Sequence, residues 1–257
     1  MPEVNSPVPG HFCWIELATS DPSAAKKFYA GVFGWGVNEN DMGEIGVYTI
    51  FRKNDRDVAA MYGLMPEQKA QGVPSNWLTY IGVESADDIA AKAQSLGATL
   101  LQPPFDVFDF GRMAVLQDPQ GAVFALWEAK THCGVTIRDE ANTLCWNELA
   151  TNDAGASRSF YTALIGWEAK VSPEYTEWYL DGKPLGGMRT INEGEPTPPN
   201  WMPYFMVDDV DATTNSVLAG GGTAHVPPRD MMSVGRFSVV GDPQGAVFAL
   251  FKPAEQA

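Results

Sequence analysis

Residues 12–21, FCWIELATSD, return almost unchanged as residues 144–153, LCWNELATND. The likeness runs on without a gap: 12–35 aligns on 144–167 with twelve of 24 positions identical. Downstream, NWLTYIGVESADDI (76–89) matches NWMPYFMVDDVDAT (200–213), and DPQGAVFAL occurs at 118–126 and again, letter for letter, at 242–250. The offset is 132 residues early and 124 later, which predicts one loop between Trp35 and Asn76 that is eight residues shorter in the second copy. The chain is therefore a tandem duplication. Its expected division is a first domain over 1–133, a linker over 134–143 and a second domain over 144–257.

Each half reads as strand–helix–three strands, twice over. HFCWIEL is a short β-rich run, and Asp21-Pro22 then offers an N-cap and an N1 proline. Ala25, Phe28, Tyr29 and Val32 follow at helical spacing until Gly34 ends the helix. In the second quarter NWLTYIGV is a strand, Ser85 caps the next helix and Gly97 stops it. Four such units predict an α+β protein with helices outside strongly curved sheets.

The 257 residues carry a formal charge of −15. An acidic chain repels phosphate backbones, so nucleic acid is not an expected partner. No run of about 18 apolar residues suggests a membrane span, and the first residues have no signal-peptide pattern. A cytoplasmic protein, monomeric or weakly dimeric, is the expectation. Cys13, Cys133 and Cys145 have no CxxC spacing, which predicts neither a disulfide framework nor a zinc site.

A strand ending in T-x-D, a helix ending in FY…GW and a later DPxG strand together resemble the vicinal oxygen chelate superfamily of glyoxalases, bleomycin-resistance proteins and extradiol dioxygenases. The likeness covers almost the whole chain, in two copies, and is nearest to two-domain glyoxalase-like proteins. It implies two βαβββ modules per domain, joined into a cup that in many relatives holds a divalent ion. Carried across, the ligand positions fall on Cys13, Ala60 or Met61, Leu78 and Ala125 in the first domain, and on Cys145, Gly186 or Gly187, Met202 and Ala249 in the second. A hard divalent ion needs several converging N or O donors. These positions offer one thiol and three apolar residues, so no metal and no cofactor are expected. Metal-dependent glyoxalase I and dioxygenase chemistry are disfavoured.

Glu16 and Glu148 stand in otherwise apolar strands, where an unpartnered carboxylate is costly. Regular alternation groups Cys13, Ile15 and Leu17 on one face and Trp14 with Glu16 on the other. If the cysteine faces the cup, the glutamate turns to the helix layer, where Arg112 and Arg236 are candidate partners. If a bulge reverses the alternation, the glutamate becomes the candidate acid/base of the cup. The resemblance also implies that Cys13, Tyr80, Val123 and Trp127 lie on the side of the first cup, with Cys145, Met202, Tyr204, Val247 and Phe251 on that of the second. Asn147, facing Ile15 across the repeat, is expected to add a polar group to the second cup. Two functions remain open: a metal-independent lyase or isomerase acting on a small carbonyl or aromatic metabolite, or a non-catalytic protein that sequesters such a molecule.

Overall fold

The computed structural model describes residues 9–43, 46–231 and 234–254. Module 1 comprises β1 (Phe12–Thr19), α1 (Pro22–Phe33), β2 (Gly36–Asp41), β3 (Val47–Lys53) and β4 (Arg56–Gly63). A five-residue helix α2 (Pro66–Ala70) leads into module 2, made of β5 (Asn76–Gly82), α3 (Ala86–Ser95), β6 (Thr99–Val107), β7 (Gly111–Gln117) and β8 (Val123–Ala129). Module 3 repeats the first as β9 (Thr143–Thr151), α4 (Ala154–Ile165), β10 (Glu168–Val171), β11 (Thr176–Leu180) and β12 (Lys183–Thr190). Module 4 repeats the second as β13 (Asn200–Met206), α5 (Val210–Ala219), β14 (Thr223–Met231), β15 (Gly235–Gly241) and β16 (Val247–Pro253). The expected strand–helix–three-strand scheme appears four times.

Local chemistry sets these boundaries as the sequence predicts. Asp21, Asp153, Ser85 and Asp209 each accept a backbone N–H with their side chain at a helix start. Gly34 and Gly166 close α1 and α4 in the left-handed conformation, φ 68° and 89°, where a Cβ would be strained.

The first two modules join through antiparallel β1 and β5 into one eight-stranded sheet, ordered β2-β3-β4-β1-β5-β8-β7-β6. The second two form the equivalent sheet, β10-β11-β12-β9-β13-β16-β15-β14. The registers also correct the expected position of the deletion. Thr49 pairs with Met61 as Thr176 pairs with Met188, so residues 47–63 map on 174–190 at an offset of 127. Five of the eight missing residues therefore leave the turn between the second and third strands of the module. The other three leave the segment that carries α2.

The helices lie between the two sheets, and their cores are shared. One cluster joins Ile15, Leu17, Tyr29 and Phe51 of module 1 to Phe205, Val217 and Phe248 of module 4. The other joins Ile81, Ala90 and Phe124 of module 2 to Tyr161, Trp167 and Trp178 of module 3. The repeated motifs meet at these clusters. Tyr29 donates to Asp242 of the second DPQG turn at 2.9 Å and accepts from Trp77 at 3.1 Å. Tyr161 donates to Asp118 of the first DPQG turn at 2.9 Å and accepts from Trp201 at 2.8 Å. Both aspartates also accept backbone amides of the residues that follow them, which closes each DPQG as a tight turn. The Trp of each GW crosses as well: Trp35 donates to the Asn142 carbonyl and Trp167 to the Gly10 carbonyl. Positions 10 and 142 are equivalent, so the lead-in to each first strand is held by the other half.

Removing the Tyr29 hydroxyl would leave Asp242 and the Trp77 N–H buried without their partner. Tyr29→Phe is expected to lower the unfolding free energy by about 1–3 kcal/mol in a urea titration, and Tyr161→Phe by a similar amount.

Candidate functional site: two inequivalent cups

The sheet faces turned away from the helices form the two cups. In the first strand of each domain one residue is extra. Phe12 pairs with Ile81 and Trp14 with Tyr80, which leaves Cys13 opposite nothing. Likewise Leu144 pairs with Phe205 and Trp146 with Tyr204, and Cys145 is skipped. The repeated cysteines are thus β-bulges, and each thiol rests on a backbone carbonyl, Cys13 on Tyr80 and Cys145 on Tyr204. Burial pushes both thiols up to about 12, so neither is a ready nucleophile.

Because of the bulge, Cys13 and Trp14 both lie in the cup cluster, while Ile15 and Leu17 turn to the helix core. Glu16 therefore faces the cup. Its two strand partners are Ala60 on β4 and Leu78 on β5. Regular alternation, which would have sent it to the helix layer, is overruled. Arg112 and Arg236 do not approach the glutamates: Arg112 is bound by Asp87 and Asp106, and Arg236 by Asp211 and Asp230.

In the first cup the Glu16 carboxyl accepts Tyr48 Oη at 2.6 Å and Tyr80 Oη at 2.8 Å. Tyr48 in turn accepts a hydrogen bond from Trp14. Removal from water raises the Glu16 pKa, and the two phenol bonds counter only part of that rise. Tyr48 and Tyr80 are held well above the ordinary phenol range, first by burial and then by the carboxyl they touch. Trp127, Ile50 and Met113 extend the lining. The segment that follows β8 supplies His132, whose ring meets the Trp14 ring edge-to-face at 4.7 Å. Burial lowers the pKa of this imidazole and favours its neutral form.

The second cup has the same plan with different charges. Glu148 accepts Tyr175 Oη at 2.9 Å and is bonded by Tyr204. Tyr175 accepts Trp146 Nε1 at 3.0 Å. Here Arg189 Nε stands 3.4 Å from the carboxyl, and its terminal nitrogens fork onto Glu195 at 3.0 and 2.6 Å. Burial still raises the Glu148 pKa, but Arg189 pulls against it, and the fork holds Glu195 down at about 2. Arg189 and Glu195 occupy the places of Tyr62 and Gln68, which share a neutral 3.2 Å bond in the first cup. The segments that follow β4 and β12 are thus latched at one place, by a neutral bond in the first cup and by an ion pair in the second.

Of the residues expected in the cups, Cys13, Tyr80 and Trp127 gather around the first. Cys145, Met202, Tyr204 and Phe251 gather around the second. Asn147 does not belong there. Glu148 faces the cup, so its chain neighbour points the other way, and Asn147 is fully buried between the sheets, accepting Thr79 Oγ1 at 3.1 Å. Tyr48, Tyr175, Tyr62 and Arg189 escaped the sequence reading. The signal was present in the shared Tyr-Thr of 48–49 and 175–176, visible once the offset of 127 is applied.

The donor set does not fit a divalent ion. Ala60 and Leu78 flank Glu16 and Ala125 lies in the same cup cluster, and no group of three His, Cys, Asp or Glu able to hold a metal occurs among the described residues. No helix among them is long and apolar enough to cross a membrane.

The raised Glu16 pKa has a thermodynamic consequence. The folded state favours the protonated form, so this contribution is complete below the ordinary value of 4.5 and is lost as pH rises through the folded value. Urea midpoints measured as a pH series should show wild type losing stability relative to Glu16→Gln over that rise. Gly187→Ala is expected to act by sterics, since a Cβ there would run into the Tyr175 hydroxyl. Displacing Tyr175 should destabilise the protein by about 1–3 kcal/mol, with the matching change at Ala60 (Ala60→Gly) lacking any such clash to relieve.

Comparison with known proteins agrees with this architecture. The family model described as glyoxalase/bleomycin resistance protein/dioxygenase superfamily matches residues 10–126 and again 143–250. "Putative glyoxylase CFP32" of Mycobacterium tuberculosis is 41% identical over 250 residues, covering 95% of both chains. "Anthracycline biosynthesis protein DauV" of Streptomyces sp. (strain C5) is 31% identical over 267 residues, covering 96% of this chain and 94% of the other. Among solved structures, the Mn(II)-bound glyoxalase from Novosphingobium aromaticivorans superposes with a TM-score of 0.67 at 15% identity, covering 96% of this chain and 83% of that one. A homoprotocatechuate 2,3-dioxygenase variant from B. fuscum gives a TM-score of 0.66 at 15% identity, over 97% and 74%. Sheet topology, duplication and sequence agree, and the chain belongs to the glyoxalase/bleomycin resistance protein/dioxygenase superfamily.

Proposed function

We propose that the first cup carries out proton transfer on a small carbonyl or aromatic metabolite without a metal ion, as a lyase or isomerase. The observation that supports this is the Glu16 carboxyl, set in an apolar cup, its pKa raised and its orientation fixed by Tyr48 and Tyr80. A carboxylate brought nearer to neutrality is suited to take a proton from carbon beside a carbonyl and to return it to the neighbouring carbon or to a leaving group. The two phenols hold the carboxyl on its acceptor side, and either can turn its O–H toward an oxygen that gains charge as the proton leaves. Trp14, Trp127 and Tyr80 pack together in the same cluster and give the cup an aromatic lining suited to a flat substrate.

Two relatives favour this substrate class by their names, one as a glyoxylase and one as a protein of anthracycline biosynthesis. Anthracyclines are flat, fused-ring carbonyl compounds. A second reading is sequestration of such a molecule without chemistry. It is favoured by the occupation of both Glu16 oxygens by phenols and by the otherwise apolar lining.

The readings separate in one series of measurements on small aromatic and dicarbonyl compounds. For the enzyme, Glu16→Gln should cut turnover by about 10²–10⁴-fold while a ligand still raises the melting temperature. Binding by both proteins with turnover by neither would establish sequestration. Elemental analysis of the purified protein should find less than one tightly held divalent ion per chain, and a stoichiometric ion would refute the metal-free mechanism.

A further inference from the structure

Two of the differences between the cups run the same way, an aromatic side chain giving way to arginine. The first is the exchange of Tyr62 for Arg189, already described on β4 and β12. The second lies on the opposite arm of each sheet. Phe105 on β6 stands directly opposite Met113 on β7 in the first cup. In the second cup the same pair is Arg229 on β14 opposite Phe237 on β15. Phe237 in turn pairs with Phe251 of the cup lining, so it and Arg229 share the cup face of their strands. An aromatic residue has been replaced by arginine on both walls, in a chain whose net charge is −15.

The two arginines are not equally available. Arg189 is committed to Glu148 and Glu195. Arg229 has no ion pair among the described residues, and its guanidinium lies over the Phe237 ring, 4.9 Å from the centroid. A guanidinium stacked on a ring keeps its N–H edge free, and that edge fits a carboxylate with two parallel hydrogen bonds. Beside it the partly buried Phe251 pairs with Phe237 across the strands and packs on the cluster that holds Tyr204.

We propose that the second cup is a binding site for flat organic acids, with the acid group on Arg229 and the ring against Phe251, whereas the first cup takes uncharged ligands. This goes beyond the reading of Glu16 as an acid/base and does not depend on it, because Arg229 and Phe237 lie in the other domain. The two cups of one chain then serve different ligand classes.

Benzoate and 2-naphthoate, set against benzamide and 2-naphthamide, test the proposal by calorimetry and by NMR of labelled methionine methyls. Met202 and Met206 report the second cup, and Met113 the first. The acids should shift Met202 and Met206 and bind more tightly than the amides. Arg229→Phe, which installs the residue of the first cup, should weaken the acids by about tenfold or more and leave the amides unchanged. Arg229→Lys, which keeps charge but loses the planar fork, should fall between. Phe105→Arg should create acid binding reported by Met113. Equal affinity for acids and amides would overturn the proposal. So would acid binding unaffected by Arg229→Phe, shifts confined to Met113, or no acid binding at millimolar concentration. Failure of the Glu16→Gln test would leave these results untouched, so the two readings fail separately.

Discussion

A single extra residue in the first strand of each domain determines where the chemistry can be. With Cys13 and Cys145 bulged out of the ladder, the alternation behind them shifts by one, and every later side chain changes face. Ile15 and Leu17 enter the helix core, and Glu16 enters the cup between Tyr48 and Tyr80. Without the bulge a carboxyl would be driven into one of the shared cores, and a leucine would take its place in the cup. The small, apolar thiol suits the position: it fits beneath the lining and settles on a carbonyl of the neighbouring strand.

The halves are bound to one another more closely than a linked pair of domains need be. Each sheet is drawn from one half, but each of the two apolar clusters on the helix side is drawn from both. The FY, NW, GW and DPQG motifs that make the repeat visible all sit at this seam. They are strongly marked in sequence because a buried Trp–Tyr–Asp chain leaves no room for substitution: every member would strand a polar partner. The cups keep their own Trp–Tyr–Glu chains, and the copies diverge around them, where Tyr62 answers to Arg189 and Phe105 to Arg229.

That contrast accounts for how much was legible beforehand. Duplication, strand order, helix caps and the turn role of DPQG follow from local rules and from letters that repeat, such as Asp21, Gly34 and Pro119. The direction of Glu16 could not be read from alternation, because a bulge is set by pairing with a distant strand. The sequence could only state both outcomes. Tyr48 and Arg189 were obscured for another reason: the deletion is split between two segments, and a single-loop alignment slides past them. Asn147 was placed by the regular alternation that the bulge overrules, so it faces the seam while Glu148 faces the cup.

The difference between Ile15 and Asn147, which first seemed to bear on the cups, belongs to the seam. Asn147 meets Thr79 there, and the positions related to this pair by the duplication are Ile15 and Pro203, both buried and apolar. One crossing point is polar and its twin is greasy. Asn147 adjoins Glu148, and Thr79 adjoins Tyr80, which bonds Glu16. Two peptide steps and two hydrogen bonds therefore link the carboxyl of one cup to that of the other, straight through the middle of the protein. The symmetric route has no such bond. A protein built by copying itself has thus acquired a direction, with a polar thread on one side of its axis and none on the other.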